Sequence, residues 1–103
     1  MKTSSLEPYS GCIESAMSVI GSKWTALLLR DLASGGKRFG ELEKSIGNIN
    51  PRTLSQRLEF LQEQGVIESC DDGYQLTEKG QALIPVLRAM ANWGETYTSK
   101  TPA

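Results

Sequence analysis

The chain has 103 residues and a formal net charge of −1, which is the size of one domain. It contains no histidine, so Ser-His and Cys-His nucleophiles and His-ligated metal sites are excluded within one chain. Its two cysteines, Cys12 and Cys70, are too few for a zinc site or a disulfide framework. The composition therefore predicts a protein that is not an enzyme and that holds no metal and no cofactor.

No apolar stretch approaches the roughly 18 uninterrupted residues of a membrane span, and residues 1–8 lack the apolar run of a signal peptide. We therefore expect a cytoplasmic protein without membrane contact. The charge is unevenly distributed. Residues 21–60 contain seven Lys and Arg against four acids, whereas residues 61–80 contain five acids and a single lysine. The basic segment is a candidate surface for an anionic partner.

The first part of the chain has the apolar spacing of three helices. The first helix ends at Gly21, the second begins after an N-cap at Ser22 and runs to about Ala33, and the third ends at Gly47. Lys37-Arg38 forms a short extended link between the second and third helices. The apolar positions of the three helices are Ile13, Ala16, Met17 and Ile20, then Trp24, Leu27, Leu28 and Leu32, then Phe39, Leu42 and Ile46.

A fourth helix has the clearest start. Asn50 suits the N-cap, and Pro51 suits the first helical position, where its missing N–H costs nothing. The helix ends near Gly65, and its predicted buried stripe is Leu54, Leu58 and Leu61.

A β-hairpin and a last helix follow. Residues 66–70 and 74–76 are predicted strands around the turn Asp71-Asp72-Gly73. Thr77 caps the last helix, in which Pro85 predicts a kink or a local break. The apolar positions of this helix are Leu83, Val86, Leu87, Met90, Trp93 and Tyr97.

This order predicts a mainly α fold with a small β-hairpin (α+β), a winged helix-turn-helix with extra N- and C-terminal dimerisation helices. We expect a flexible N-terminal segment at 1–10, the winged-helix and dimerisation domain at 11–97, and a tail at 98–103. The extra helices carry apolar faces that the other elements cannot fully cover. The predicted homodimer interface is Ile13, Met17, Ile20, Leu87, Met90, Trp93 and Tyr97. A second interpretation is a ligand pocket between subunits, lined by Trp24, Met90, Trp93 and Tyr97.

The fourth helix is the candidate recognition helix. With Leu54 placed inward and 100° per residue, its first two turns present a polar outer surface, whereas Glu59 and Glu63 make its end acidic. Arginine suits guanine, glutamine suits adenine, and hydroxyls suit phosphates or bases. The candidate DNA-binding residues of this helix are Arg52, Thr53, Ser55, Gln56 and Arg57. The alternative is an ordinary solvated helix face, but the short helix before it and the hairpin after it favour DNA.

Other residues have more local interpretations. Lys23, Lys37 and Arg38 are candidates for phosphate contacts. Cys12 lies at a helix start, where a thiol favours the thiolate, so it is either a redox-sensing residue or a small apolar one. Cys70 is typical of a half-buried packing residue.

Several runs of the sequence resemble the HxlR family of winged-helix regulators, which is related to MarR. The matching runs are CIESA (12–16), VIGSKWT (19–25), LRDL (29–32), RFGEL (38–42), PRTLSQRL (51–58), LTEKG (76–80) and WG (93–94). The resemblance covers residues 11–95. It implies a homodimer built from the first and last helices, with two recognition helices in successive major grooves of a pseudo-palindromic operator. It also implies that the cysteine matching Cys12 senses electrophiles or oxidants.

The sequence departs from the family pattern in two places. The family usually has a proline after that cysteine, where this chain has Ile13, and its wing is longer and carries proline and arginine. Here the wing is only residues 70–74 and is acidic, so we expect no grip on phosphate from it. DNA binding then depends more on the recognition helix and on Lys23, Lys37 and Arg38.

The sequence therefore predicts a dimeric, sequence-specific DNA-binding transcription regulator that responds to thiol modification or to a small-molecule effector. The alternative is a winged-helix module that binds another protein and no DNA. The near-neutral charge and the acidic wing favour this alternative, whereas the basic segment at 21–60 and the run at 53–58 oppose it.

Overall fold

The structure, a computed structural model, describes residues 6–98. A 3-10 turn at Glu7–Tyr9 precedes six helices and one hairpin in this range. They are α1 (Ser10–Ile20), α2 (Lys23–Leu32), α3 (Phe39–Ile46), α4 (Pro51–Glu63), β1 (Ile67–Cys70), β2 (Gly73–Leu76), α5 (Glu78–Gln81) and α6 (Ile84–Tyr97). This order confirms the predicted mainly α fold with a small hairpin. The predicted terminal segments fall largely outside the described residues, namely at 1–5 and 99–103.

The helix ends follow the predicted caps. Ser22 Oγ accepts a hydrogen bond from a backbone N–H of the first turn of α2 at 3.2 Å, and Asn50 Oδ1 does the same for α4 at 2.7 Å. The residues after α3 and near the end of α4 are Gly47 and Gly65, with φ of 89° and 75°. These are left-handed conformations that favour glycine. The predicted boundaries are therefore confirmed, together with their physical cause.

The predicted last helix is two helices. α5 ends at Gln81, α6 begins at Ile84, and Pro85 lies in the first turn of α6. Proline lacks an N–H and is tolerated in a first turn but not in a helix interior. The predicted break is therefore confirmed, and Pro85 lies just after it. No helix in the described range is long and apolar enough to cross a membrane.

The junction between the hairpin and α5 is bonded to the end of α4. Thr77 Oγ1 donates to the carbonyl oxygen of Gly65 and accepts from the N–H of Gly80. Lys79 Nζ donates to the carbonyl oxygen of Gln64 at 2.7 Å. Carbonyls at a helix end have no partner within the helix. These bonds therefore supply donors to the end of α4 and fix the start of α5 against it.

β1 and β2 form the predicted antiparallel hairpin. Ile67 lies opposite Leu76, Cys70 lies opposite Gly73, and residues 71–72 make the turn. Because the turn is so short, the wing extends little beyond the strands.

The link before α3 forms an isolated β-bridge with β2, between Lys37 and Tyr74, that the sequence did not predict. The N–H of Lys37 donates to the carbonyl of Tyr74 at 2.9 Å, and the N–H of Tyr74 donates back at 2.8 Å. A Cβ added to Gly73 would overlap the carbonyl of Lys37. Glycine at this position therefore permits the close approach of the link to the hairpin.

The core lies between α2, α3, α4 and the hairpin. Its buried apolar residues are Ile20, Leu28, Leu29, Leu32, Leu42, Ile49, Leu54, Leu58, Leu61, Val66, Ile67 and Leu76. The leucine stripe predicted for α4 is confirmed. Ile20 is 5% exposed and belongs to this core, so its expected place in a dimer interface is corrected. It packs inward because α1 meets α2 at this end.

The buried face of α2 differs from the prediction. Its buried residues are Thr25, Leu28, Leu29 and Leu32. Trp24 and Leu27, which were expected inward, are only half-buried. The buried stripe is rotated around the helix because Leu27 faces the space between α2 and α6. The hydroxyl of Thr25 is buried without a hydrogen-bond partner among the described residues.

Candidate nucleic-acid interface

The first two turns of α4 present a continuous polar surface. Arg52, Ser55 and Gln56 are exposed, and Thr53 and Arg57 are half-buried on the flanks. The fully buried leucines on the opposite side fix the rotation of the helix, so the polar residues are directed away from the core. The structure therefore brings the five candidate base-reading residues together on one helix face.

The charge of α4 changes along its length. Glu59 and Glu63 are exposed in the last turns. The guanidinium carbon of Arg57 lies 4.9 Å from the centre of the Phe60 ring, a cation–π distance that orients this side chain. The surface suited to a polyanion is therefore confined to the N-terminal half of the helix, where the helix dipole is also positive.

The three candidate phosphate-binding residues outside α4 each make local contacts. Lys37 Nζ donates to Ser34 Oγ at 3.1 Å and to the carbonyl of Gly35 at 3.3 Å. Lys23 Nζ lies 4.7 Å from the centre of the Trp24 ring, at the start of α2. The third, Arg38, contacts the wing. These residues therefore form no single cluster with one another, and only Lys37 and Arg38 are neighbours at the base of the wing.

The acidic wing neutralises part of this basic surface. Arg38 Nη2 lies 2.8 Å from Asp72 Oδ2, and both side chains are mostly exposed. Asp71, beside it in the turn, is also exposed. The sequence showed the two acids and the two bases but gave no sign of this ion pair, because the strand pairing of Lys37 that brings them together was not predicted.

Exposed apolar residues occur in two parts of the chain, namely in α1 with the turn before it and in α6. Trp93 is 61% exposed and Tyr97 is 71% exposed. The exposed large apolar residues are Leu6, Tyr9, Ile13, Met17, Val86, Met90, Trp93 and Tyr97. Leu6, Tyr9 and Val86 were not among the predicted interface residues, and Leu87 is half-buried against the core. Several large apolar side chains exposed along one helix are typical of an interaction surface.

A groove of about 510 Å³ runs between α2 and α6. Its walls are apolar and include Leu27, Leu87 and Met90, with Arg30 and Arg88 also lining it. Of the four residues expected to line a ligand pocket between subunits, Met90 also lines this groove within one subunit. Trp24, Trp93 and Tyr97 lie outside the groove, and the pocket between subunits stays a prediction.

Both cysteines are free thiols. Cys12 is exposed in the first turn of α1, whereas Cys70 is half-buried at the end of β1. The Cys70 sulfur packs near Gly36, as expected for a packing residue. Among residues 6–98, no group of three or more Cys, Asp or Glu side chains could hold a metal ion.

Comparisons with known proteins agree with this geometry. The model of the HxlR-like helix-turn-helix family matches residues 19–102. The helix-turn-helix type transcriptional regulator YdeP of Bacillus subtilis is 36% identical to this chain, over 93% of the chain and 81% of YdeP.

Two solved structures are similar along most of their length. The quinone-bound YodB from B. subtilis has a TM-score of 0.77 and 36% identity, covering 82% of this chain and 96% of that one. The redox regulator HypR in its reduced form has a TM-score of 0.75 and 33% identity, covering 82% and 90%. The chain therefore belongs to the HxlR-like helix-turn-helix family and is a transcriptional regulator of the helix-turn-helix type.

Proposed function

We propose that the chain acts as a homodimer that binds double-stranded DNA sequence-specifically and places α4 in the major groove. The observation that carries this proposal is the exposed polar surface on the first two turns of α4, held in place by three fully buried leucines. A helix presenting such a surface fits the width of the major groove. The short α3 before it and the wing after it have the order of a DNA-binding winged helix.

The side chains of α4 have distinct roles in this proposal. Arg52 and Gln56 lie one helical turn apart on the exposed face, where they contact the edges of bases. Ser55 and the half-buried Thr53 contact phosphates or neighbouring bases. Arg57, which lies on the same flank as Thr53 one turn further along, contacts the DNA backbone. Lys23 and Lys37 add phosphate contacts outside the helix, which raise affinity without reading sequence.

The homodimer is supported by the apolar surface on α1 and α6. Ile13 and Met17 are 43% and 49% exposed, and Met90 is 50% exposed. Side chains of this size are stabilised by leaving water. Two copies related by a two-fold axis present two recognition helices to a pseudo-palindromic operator, whose half-sites are about one helical turn apart.

The test uses genomic DNA of the source organism. The reduced protein is mixed with fragmented DNA at near-physiological salt, where non-specific binding is weak, and the retained fragments are sequenced. Enrichment of a palindrome supports the proposal. A folded, dimeric protein that enriches no sequence favours the alternative of a winged helix that binds another protein.

A second candidate function is control of DNA binding by modification of Cys12. This thiol is exposed on α1, the helix whose apolar face we assign to the dimer. A modified side chain there alters packing between subunits. One similar solved structure is the quinone-bound YodB and another is the redox regulator HypR, which supports this candidate. For a small-molecule effector, the apolar groove between α2 and α6 is the candidate site.

A further inference from the structure

The ion pair between Arg38 and Asp72 joins the start of α3 to the tip of the wing. The guanidinium and carboxylate atoms are 2.8 Å apart, and the two side chains are 69% and 65% exposed. Both groups therefore lie at the surface, where the guanidinium of Arg38 is accessible to a DNA phosphate.

The backbone places these two residues beside each other. Arg38 and Asp72 each lie next to a residue that takes part in the contact between the link and the hairpin. Lys37 precedes Arg38 and exchanges two backbone hydrogen bonds with Tyr74, while Gly73 follows Asp72 and permits the close approach. The N–H of Arg38 is also bonded, at 2.8 Å, to a carboxylate of the first turn of α3. The backbone contact between the link and the hairpin therefore brings Arg38 and Asp72 close enough to pair.

The carboxylate of Asp72 binds the guanidinium of Arg38 at a position where a DNA phosphate could bind instead. Arginine forms the same charge-assisted hydrogen bonds with carboxylate and phosphate oxygens. Each phosphate contact releases counterions and strengthens binding of DNA of any sequence, with a salt slope of about 0.9 per contact. An exposed ion pair is weak, so it competes with phosphate without abolishing binding.

We propose that Asp72 competes with DNA phosphate for Arg38 and so weakens the binding of DNA of every sequence. The base contacts of α4 then account for a larger share of the total affinity. This inference rests on the proposed DNA-binding function, and it concerns a residue of the wing that lies outside the predicted contact set.

The test compares Asp72→Asn with Asp71→Asn. Both substitutions remove one negative charge from the same exposed turn, but only Asp72 is paired with an arginine among the described residues. Binding of a scrambled duplex is measured by fluorescence anisotropy over a range of salt concentrations. Circular dichroism melting checks that both variants remain folded.

We expect Asp72→Asn to bind the scrambled duplex roughly twofold to fivefold more tightly than Asp71→Asn at low salt, the scale of an exposed ion pair. Its salt slope should be steeper by about one phosphate contact. This advantage should vanish when Arg38→Ala is present in both variants.

Three results would overturn the inference. Equal affinities of the two variants for the scrambled duplex would mean that only the loss of one negative charge matters, and not the pairing with Arg38. An advantage that survives Arg38→Ala would show that Asp72 acts without that arginine. If the wild-type protein binds no duplex even at low salt, the proposed function fails and this inference fails with it. Either of the first two results, with a wild-type protein that binds the duplex, would remove this inference and leave the proposed function standing.

Discussion

The rings of Trp93 and Tyr97 lie 5.4 Å apart on an exposed face of α6. The two residues are one helical turn apart, and each presents most of its aromatic surface to solvent. Aromatic residues of this kind are enriched among the side chains that dominate protein interfaces. This face, together with the apolar face of α1, is the one that we assign to the homodimer.

We expect Trp93→Ala to weaken the homodimer by about 2 kcal/mol or more, which is roughly 30-fold in Kd. Sedimentation equilibrium measures this change. The fold of the subunit should be preserved because the side chain lies outside the core. Asn92→Ala, at an exposed polar position next to it, is the matched control. Equal dissociation constants for the two variants would place the interface elsewhere.

Arg52→Ala tests base reading by α4. We expect a loss of about 1–3 kcal/mol at the cognate site and relaxed specificity at one base pair, measured by titrating operator and scrambled duplexes. Glu63→Ala, at the other end of the same exposed face, should change the preference for the operator little. The role assigned to Arg52 is wrong if its substitution weakens both duplexes to the same degree.

Cys12→Ser tests the thiol response. We expect a thiol oxidant to change the operator affinity of the wild-type protein and to leave that of Cys12→Ser unchanged, because Cys12 is the exposed cysteine. Cys70→Ser should keep the wild-type response, since Cys70 is half-buried. A response that persists in Cys12→Ser but disappears in Cys70→Ser would show that Cys70 is the reactive cysteine.

Gly73→Ala tests the packing of the link on the hairpin. The added Cβ overlaps the carbonyl of Lys37. Either the backbone hydrogen bonds between Lys37 and Tyr74 or the hairpin itself must therefore shift. We expect destabilisation of about 1–3 kcal/mol, as for overpacking elsewhere, seen as a lower Tm. Gly40→Ala in α3 is the control, because its Cβ meets no atom within 4 Å and alanine favours helix. Equal melting temperatures would mean that the link approaches the hairpin less closely.

Local signals account for most of the fold that the sequence predicted. The caps at Ser22 and Asn50 and the glycines after α3 and α4 act within a few residues, so they can be identified without knowledge of tertiary contacts. The break at Pro85 has the same local origin. The buried stripe and the exposed polar face of α4 followed from helical period alone.

The errors arose where distant segments meet. Which face of α2 is buried depends on α6, and that contact rotated the stripe so that Leu29 is in the core and Leu27 is not. Ile20 has the pattern of an interface residue but packs inside the subunit. The Arg38–Asp72 pair depends on strand pairing across more than 30 residues, for which the charges alone give no signal.

The hydroxyl of Thr77 joins the end of α4 to the start of α5. This single group is bonded on one side to the carbonyl past the end of α4 and on the other to the first turn of α5. Lys79 adds a second tie to the end of α4. We expect these bonds to hold the start of α5 to the end of α4, so that the two segments keep a fixed relative position.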